Sequence, residues 1–270
     1  MARFLGVSTA GYYKYLKRGV VSSRHADDEA LRKQVVSIHT ESRGCYGVDR
    51  IEKMLIRKGI HVHRRRILRV MKAAEIRGKS SLRRARTTNS EHDFPVSPNL
   101  LKRNFYADSI NRVWVSDITY LRTREGWLYL CVILDLFSRR VVGWAASTSL
   151  DASLVIQAFR MATFLRRPAK GLIFHSDRGV QYASAAFRKE LGIWQMKQSM
   201  SGKGQCLDNA VAESFFGTLK MELEANYFWS QKEAVRDVFD YIECFYNRVR
   251  IHSSLEFSSP DEFENTDSAA

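Results

Sequence analysis

The hydrophobic positions of this chain change period near residue 105. Before that point they recur at helical spacing. Leu31, Val35 and Ile38 share one face of a helix predicted over 28–40. Gly44-Cys45-Tyr46-Gly47 breaks the pattern, Val48, Ile51 and Leu55 resume it, and Gly59 ends it. A third helix is predicted from about residue 63, with Ile67, Val70, Met71 and Ala74 on its apolar stripe. Its other face carries Arg64, Arg65, Arg66, Arg69 and Lys72. Three short helices with a basic third one suit a helix-turn-helix-like DNA binder, and these five cations are the expected DNA contacts.

Residues 79–104 have almost no apolar period but hold Ser80, Ser81, Arg83, Arg84, Arg86, Pro95 and Pro98, which predicts a basic, flexible linker. Beyond it the texture is that of strands. Runs at 113–121, 127–134 and 139–146 are separated by Arg124-Glu125-Gly126 and by Phe137-Ser138, predicting an antiparallel meander. A helix over 153–164, a strand over 171–176, a helix over 184–191 and a strand over 194–199 follow. A longer helix is predicted over 208–224 with Asp208 as its N-cap. Ser230-Gln231-Lys232-Glu233 has capping-box form and opens a last helix bearing Ala234, Val238, Tyr241, Ile242 and Phe245. The expected class is α/β: a mixed five-stranded sheet flanked by helices, preceded by the helical domain. The expected division is 1–78 helical, 79–104 linker, 105–225 catalytic core and 226–270 helical C-terminal region.

Charge sharpens this picture once it is divided along the chain. The net +14 splits into +15 over 1–104, +6 over 105–220 and −7 over 221–270. A one-sided basic excess beside a near-neutral segment points to a polyanionic partner. No apolar run reaches the roughly 18 residues of a membrane span, and the N-terminus lacks the pattern of a secretory signal, so a cytoplasmic location without membrane contact is expected. Cys45, Cys131, Cys206 and Cys244 form no CxxC pair and read as buried thiols rather than disulfides or zinc ligands.

Three carboxylates stand out. Asp117 lies inside an apolar strand between Val115 and Ile118, Asp177 ends a strand in His175-Ser176-Asp177-Arg178-Gly179, and Glu213 lies on the long helix. A carboxylate in an apolar strand is costly unless paired, hydrogen-bonded or bound to a metal. Three brought together would repel, and hard divalent cations such as Mg²⁺ would relieve that. Taken singly, each also fits a capping or salt-bridge role. Asn209, Glu213, Phe216 and Lys220 are spaced by four, three and four on one helix face, so Asn209 could orient Glu213 and Lys220 could reach a phosphate. His175 points the same way as Asp177, toward DNA, water or a structural partner. Asp135, before a turn, competes for a metal role with turn capping.

Trp114-Val115-Ser116-Asp117-Ile118-Thr119-Tyr120, Leu134-Asp135-Leu136-Phe137-Ser138-Arg139, His175-Ser176-Asp177-Arg178-Gly179-Val180-Gln181-Tyr182 and Asp208-Asn209-Ala210 with Glu213-Ser214-Phe215-Phe216 and Lys220 resemble four successive blocks of retroviral-integrase-like transposases. Between Asp117 and Asp177 lie 59 residues, and between Asp177 and Glu213 lie 35. Leu5-Gly6-Val7-Ser8-Thr9-Ala10-Gly11-Tyr12-Tyr13 and Tyr46-Gly47-Val48-Asp49-Arg50-Ile51 resemble the family's N-terminal helical region and Tyr246-Asn247-Arg248-Val249-Arg250-Ile251-His252-Ser253-Ser254-Leu255 its C-terminal one, so the likeness covers nearly the whole chain. It is nearest to the second-reading-frame transposases of bacterial insertion sequences.

That resemblance implies an RNase H-like core with Asp117, Asp177 and Glu213 as catalytic metal ligands for two Mg²⁺ ions, which Mn²⁺ would replace. It implies double-stranded DNA partners, the element's terminal inverted repeats and target DNA. It implies that water, then the freed 3′-hydroxyl, attacks a phosphodiester without a covalent protein–DNA intermediate. At least two protomers would meet in a synaptic complex, in a bacterial, nucleoid-associated setting. Two departures stand out. His61 and His63 have no downstream cysteine pair, so no structural zinc is expected, and Glu256 occupies a position where the family usually has glycine.

Other readings make separable predictions. Gly78-Lys79-Ser80 mimics the end of a P-loop, but Ala73 stands where glycine is required. A tyrosine recombinase would use Tyr246 with Arg248, Arg250 and His252, and would need no metal. A non-catalytic DNA-binding regulator would bind without cleavage, and an RNase H-fold nuclease would cut but never join.

Overall fold

The computed structural model describes residues 4, 6–17, 23–79, 95–202, 205–223 and 227–267. The chain divides into two compact units, Met1–Lys79 and Ser80–Ala270.

The first unit contains α1 (Thr9–Lys17), α2 (Ser23–Glu41), α3 (Val48–Arg57) and α4 (Arg64–Ala73). Helix α1 lies within the stretch expected to be helical, although no apolar stripe marks it as a separate helix. Its start is marked instead by Ser8, whose Oγ accepts from the Gly11 amide at 3.0 Å, while Tyr13 and Tyr15 stay exposed. The core is the expected one: Leu31, Val35 and Ile38 from α2, Ile51 and Leu55 from α3, and Ile67, Val70 and Met71 from α4. The turn between α3 and α4 begins at Gly59, whose φ of +74° suits glycine. It ends at His63, which caps α4: its Nδ1 accepts from the Arg65 amide at 3.2 Å.

The second unit is built on a five-stranded sheet of order β3-β2-β1-β4-β5, where β1 is Val113–Thr123, β2 Gly126–Asp135, β3 Val141–Ser147, β4 Ile173–Ser176 and β5 Lys197–Met200. Strands β1, β2 and β3 form the antiparallel meander, and β4 and β5 run parallel to β1. The apolar run of β2 needs no alternation because both faces are covered. One face, with Trp114, Cys131 and Ile133, packs on α5 (Ala152–Arg166), α6 (Val180–Ala183) and α7 (Ala185–Ile193). The other, with Val115, Leu130, Val132 and Leu134, packs on α8 (Ala210–Glu222), α9 (Gln231–Phe239) and the π-helical turn Asp240–Tyr246 that continues α9. A final helix, α10, spans Pro260–Asp267. Gly143 lets β3 approach α5 closely, since a Cβ there would lie 2.4 Å from the Ala158 carbonyl oxygen.

Residues 227–267 belong to the same unit as the sheet. Tyr241, Ile242, Phe245 and Tyr246 share a core with β1 and β2. Glu222 and Arg250, both almost wholly buried, form an ion pair with Nε–Oε2 at 2.8 Å and Nη2–Oε1 at 2.9 Å, and the Tyr241 hydroxyl donates to Glu222 Oε2 at 2.9 Å. The Asn247 amide clasps the outer edge of β3, accepting from Val141 N and donating to Val141 O, both at 3.0 Å. Tyr246 is no nucleophile. It is buried, its hydroxyl donates to the Arg139 carbonyl at 3.2 Å, and burial pushes its pKa up.

The described part of the expected linker, residues 95–104, is anchored. The Leu100 amide donates to Ser199 Oγ at 2.9 Å and Leu101 is buried. Residues 80–94 lie outside the described residues. The capping box at Ser230 forms in part: Ser230 Oγ accepts from the Glu233 amide at 3.1 Å, but Glu233 reaches back to Trp229 N rather than Ser230 N. Cys45 and Cys131 are buried as expected, whereas Cys244 is exposed and the Cys206 side chain is not among those described. Glu256, the departure at a glycine position, has φ of +52°, a left-handed conformation that explains the usual preference.

Candidate active site

Sheet register brings Asp117 and Asp177 to neighbouring positions. Parallel pairing of β1 with β4 places Val115 opposite His175, and two residues further along each chain stand Asp117 and Asp177. Val115 faces the α8 side of the sheet, and alternation carries Asp117 to that side. Both carboxylates act on the same three groups, Tyr120, Cys131 and Tyr182, and push each pKa upward, though burial is the larger cause in every case. The Cys131 thiol reaches about 12.

One oxygen of each aspartate is held by a nearby main-chain amide. Asp117 Oδ1 accepts from Ile118 N at 2.8 Å, and Asp177 Oδ1 accepts from Gly179 N at 2.9 Å. A Cβ at Gly179 would lie 3.0 Å from Asp177 Oδ1 and 2.9 Å from Gln181 Oε1, so a larger residue there would shift the aspartate that its amide holds. Behind the site, Tyr182 OH lies 2.8 Å from Ser116 Oγ, joining the segment after Asp177 to the residue before Asp117.

Glu213 lies in the first turn of α8. This turn is pinned to β1 by Asn209, whose Nδ2 donates to the Ser116 carbonyl at 3.0 Å. Asn209 thus acts on the helix that carries Glu213 through the strand that carries Asp117. Its Oδ1 is buried without a hydrogen-bond partner. All three carboxylates are half-buried, whereas Lys220, two turns along α8 from Glu213, is exposed. Among the described residues no three His, Cys, Asp or Glu side chains already form a closed metal cluster. Three ionised carboxylates repel, and close on one another only around a cation.

The helix before Glu213 starts differently from the sequence expectation. A 3-10 turn, Cys206–Asn209, precedes α8, and Asn209 rather than Asp208 holds the N-cap position, without a side-chain cap bond. Asp208 is drawn off by non-local partners: Arg103 Nε at 2.8 Å, Asn99 Nδ2 at 2.9 Å and Gly202 N at 2.9 Å. Burial would raise its pKa, but the Gly202 amide and Arg103 hold it below the usual range.

His175 is fully buried and meets no solvent. Its Nε2 lies 3.0 Å from the Asp208 carbonyl, which can only accept, so Nε2 carries the proton. Nδ1 accepts from Ser199 Oγ at 2.8 Å. His175 therefore buckles the turn before α8 to β4 and β5, a structural role rather than a DNA contact. Burial lowers its pKa from 6.5 to about 4. Between these values the unfolded chain binds a proton that the folded chain refuses. Stability present above pH 6.5 is expected to fall as pH drops toward about 4, by up to ~3 kcal/mol. Urea melts across this range check it; a His175→Gln protein losing stability with the same slope would refute it.

Asp135 is fully buried and caps its turn, accepting from Asn111 N at 2.7 Å and Phe137 N at 2.9 Å, with Arg166 at 3.7 Å. Burial raises its pKa against these partners. It serves the β2–β3 corner.

Of the five cations on α4, all but the half-buried Arg66 are exposed, and Arg64, Arg66 and Arg69 meet acids of the same unit. Arg66 Nε lies 2.7 Å and Arg69 Nη2 2.8 Å from Asp28, and Arg64 pairs with Asp49. Hydrogen bonding from Arg66 is the largest cause that holds Asp28 below its usual pKa. Any phosphate at Arg64, Arg66 or Arg69 must compete with these carboxylates.

Two integrase core domain models match residues 107–206 and 213–267, and an HTH-like domain model matches 26–86. The 31 kDa protein of insertion element IS600 from Shigella sonnei is 42% identical over 264 residues, covering 97% of each chain. Transposase InsF for insertion sequence IS3A from Escherichia coli K12 is 39% identical over 267 residues, covering 98% of this chain and 93% of that one. A chain of the simian T-cell lymphotropic virus intasome, solved with a PP2A regulatory subunit, matches with TM-score 0.50 and 16% identity over 85% of this chain and 74% of that chain, a likeness of fold. No helix among the described residues is long and apolar enough to cross a membrane. Register, helix placement and sequence agree, and the chain belongs to the IS3-type transposases of insertion sequences, enzymes with an integrase catalytic core.

Proposed function

We propose that this transposase cuts and joins DNA at the terminal repeats of its element through divalent ions, Mg²⁺ or Mn²⁺, held by Asp117, Asp177 and Glu213. The observation that carries this reading is the placement of Asp117 and Asp177 two residues past a parallel register pair, with the Glu213 helix tied to β1 by Asn209. The donor set fits such ions. Carboxylate oxygens are hard ligands, and the unpartnered Oδ1 of Asn209 is an acceptor that an ion's retained water can serve. When bound, two ions would supply Lewis-acid activation of the attacking oxygen and stabilisation of the leaving one.

The chain's own groups do the rest. The Ile118 and Gly179 amides orient the two aspartates. Lys220 meets a backbone phosphate at the rim. Arg64, Arg65, Arg66, Arg69 and Lys72 hold duplex DNA through the helical unit, and two or more protomers bring two ends together. Strand transfer by the full chain, with pre-cut duplexes taken from the ends of the segment that encodes it, tests this. Joined product is expected with Mg²⁺ or Mn²⁺ and none with a chelator. Cleavage without joining would indicate a nuclease, and binding without either reaction a regulator; both outcomes would overturn the proposal.

A further inference from the structure

The distal half of the β1–β2 hairpin carries a feature that the site above does not use. Strand β4 pairs with β1 only at its start, and at the far end of β1 a single bridge joins Thr123 to Phe228. The Phe228 amide donates to the Arg122 carbonyl at 2.9 Å, and the Arg124 amide donates to the Phe228 carbonyl at 3.0 Å. Phe228 is buried and anchors the segment. Its neighbours alternate outward: Tyr227 is 48% and Trp229 63% exposed. Each meets an exposed arginine. The Arg124 guanidinium lies 3.3 Å from the Trp229 ring centre, and that of Arg122 lies 5.8 Å from Tyr227. Across the hairpin, opposite Arg122, stands Trp127, 52% exposed. The nearby Glu125 carboxylate is engaged by the Gln231 amide at 2.8 Å.

Phe228, the main-chain bonds and the Glu125 and Glu233 carboxylates that accept from Gln231 N and Trp229 N already fasten this segment without a hydrogen bond from either outward ring. Two more large aromatics left in water, each beside an arginine, are what unpaired nucleic acid requires. Exposed rings take stacked bases, and guanidinium groups stack and pair with phosphates. Duplex DNA cannot use the rings, because its base faces are covered by their neighbours. Every base has a face to stack, so binding through the rings would tolerate any sequence.

We infer that Arg122, Arg124, Trp127, Tyr227 and Trp229 form a stacking site for a single-stranded stretch of the DNA substrate. The inference rests on the proposed function for its location. Arg122 and Arg124 lie five and seven residues beyond Asp117 along the chain, about 17–23 Å at strand rise. That spans roughly 5–7 nucleotides at duplex spacing, so the captured bases flank the scissile phosphate rather than contain it.

Binding of single-stranded oligothymidylate to the full chain, followed by fluorescence anisotropy in a chelator, tests it, at salt high enough to weaken charge-only contacts. Trp229→Ala and Tyr227→Ala are each expected to weaken this binding roughly 5- to 100-fold. Trp229→Phe should retain most of it, and Phe164→Ala, which removes an exposed ring elsewhere, should change nothing. Random-sequence duplex binding should be unaltered in all four. Trp229→Ala protein that melts as the parent does yet binds oligothymidylate equally well would overturn the inference. So would an equal loss for strand and duplex. Because no metal is present, the result is independent of catalysis. A parent that joins DNA but shows no Trp229 dependence refutes only this site, and one that shows the dependence but never joins refutes only the proposed function.

Discussion

Asp117→Asn, Asp177→Asn and Glu213→Gln proteins are each expected to cleave and join DNA at least about a thousandfold more slowly, a loss of ~4 kcal/mol in barrier height. DNA binding and melting temperature should stay close to the parent's. The reasoning is local. Asp117 Oδ1 and Asp177 Oδ1 accept from main-chain amides, and a carboxamide oxygen can accept in the same place, so the fold keeps those bonds. What is lost is the negative charge that would draw a divalent cation between β1, the end of β4 and α8. Single-turnover cleavage rates, gel shifts and thermal melts measure the three quantities separately. A variant that keeps activity within about tenfold (~1.4 kcal/mol) removes its residue from the proposed ligand set. Loss of DNA binding in all three would mean that the carboxylates hold the fold rather than the ions.

Arg250→Met is expected to destabilise the second unit by about 3–5 kcal/mol, the usual cost of stranding one member of a buried ion pair. For a unit of this size that lowers the melting temperature by roughly 6–20 °C. Glu222 has hardly any solvent contact, and without Arg250 its one remaining side-chain partner among the described residues is the Tyr241 hydroxyl at 2.9 Å. A Glu222→Leu/Arg250→Met double variant should recover much of the loss, since a matched apolar pair leaves no buried charge. Urea titrations of the single and double variants give the coupling. A single variant within about 1 kcal/mol of the parent would show that the pair contributes little. Activity should fall with stability, because Glu222 closes the helix that Glu213 opens.

The features read correctly from sequence were those whose cause lies within a few residues. Apolar runs broken by Arg124-Glu125-Gly126 and by Phe137-Ser138 marked the meander, and the positions of Asp117 within β1 and Asp177 just past β4 were legible because a carboxylate there interrupts an apolar pattern. Ser230 was recognisable for the same reason, since its cap bond spans three residues. Errors arose where a distant partner decides. Asp208 has the local form of a helix cap, but Asn99 and Arg103, more than a hundred residues earlier, claim its carboxylate. Pro98 to Arg103 read as linker because its anchors are on β5 and the turn before α8. For His175 the sequence leaves DNA, water and a structural partner open, and only the folded chain reveals Ser199 and the Asp208 carbonyl around it. The basic face of α4 was legible as charge, but its partial neutralisation by Asp28 and Asp49 from other helices was not.

The clasp of Asn247 on Val141 has a consequence for solubility. β3 is the last strand on its side of the sheet, and such rims offer open amides and carbonyls that recruit strands from other molecules. By taking one amide and one carbonyl of that rim, a single side chain stands where a foreign strand would begin to pair. At that end of β3 an incoming strand would have to displace Asn247 before its own amides and carbonyls could pair.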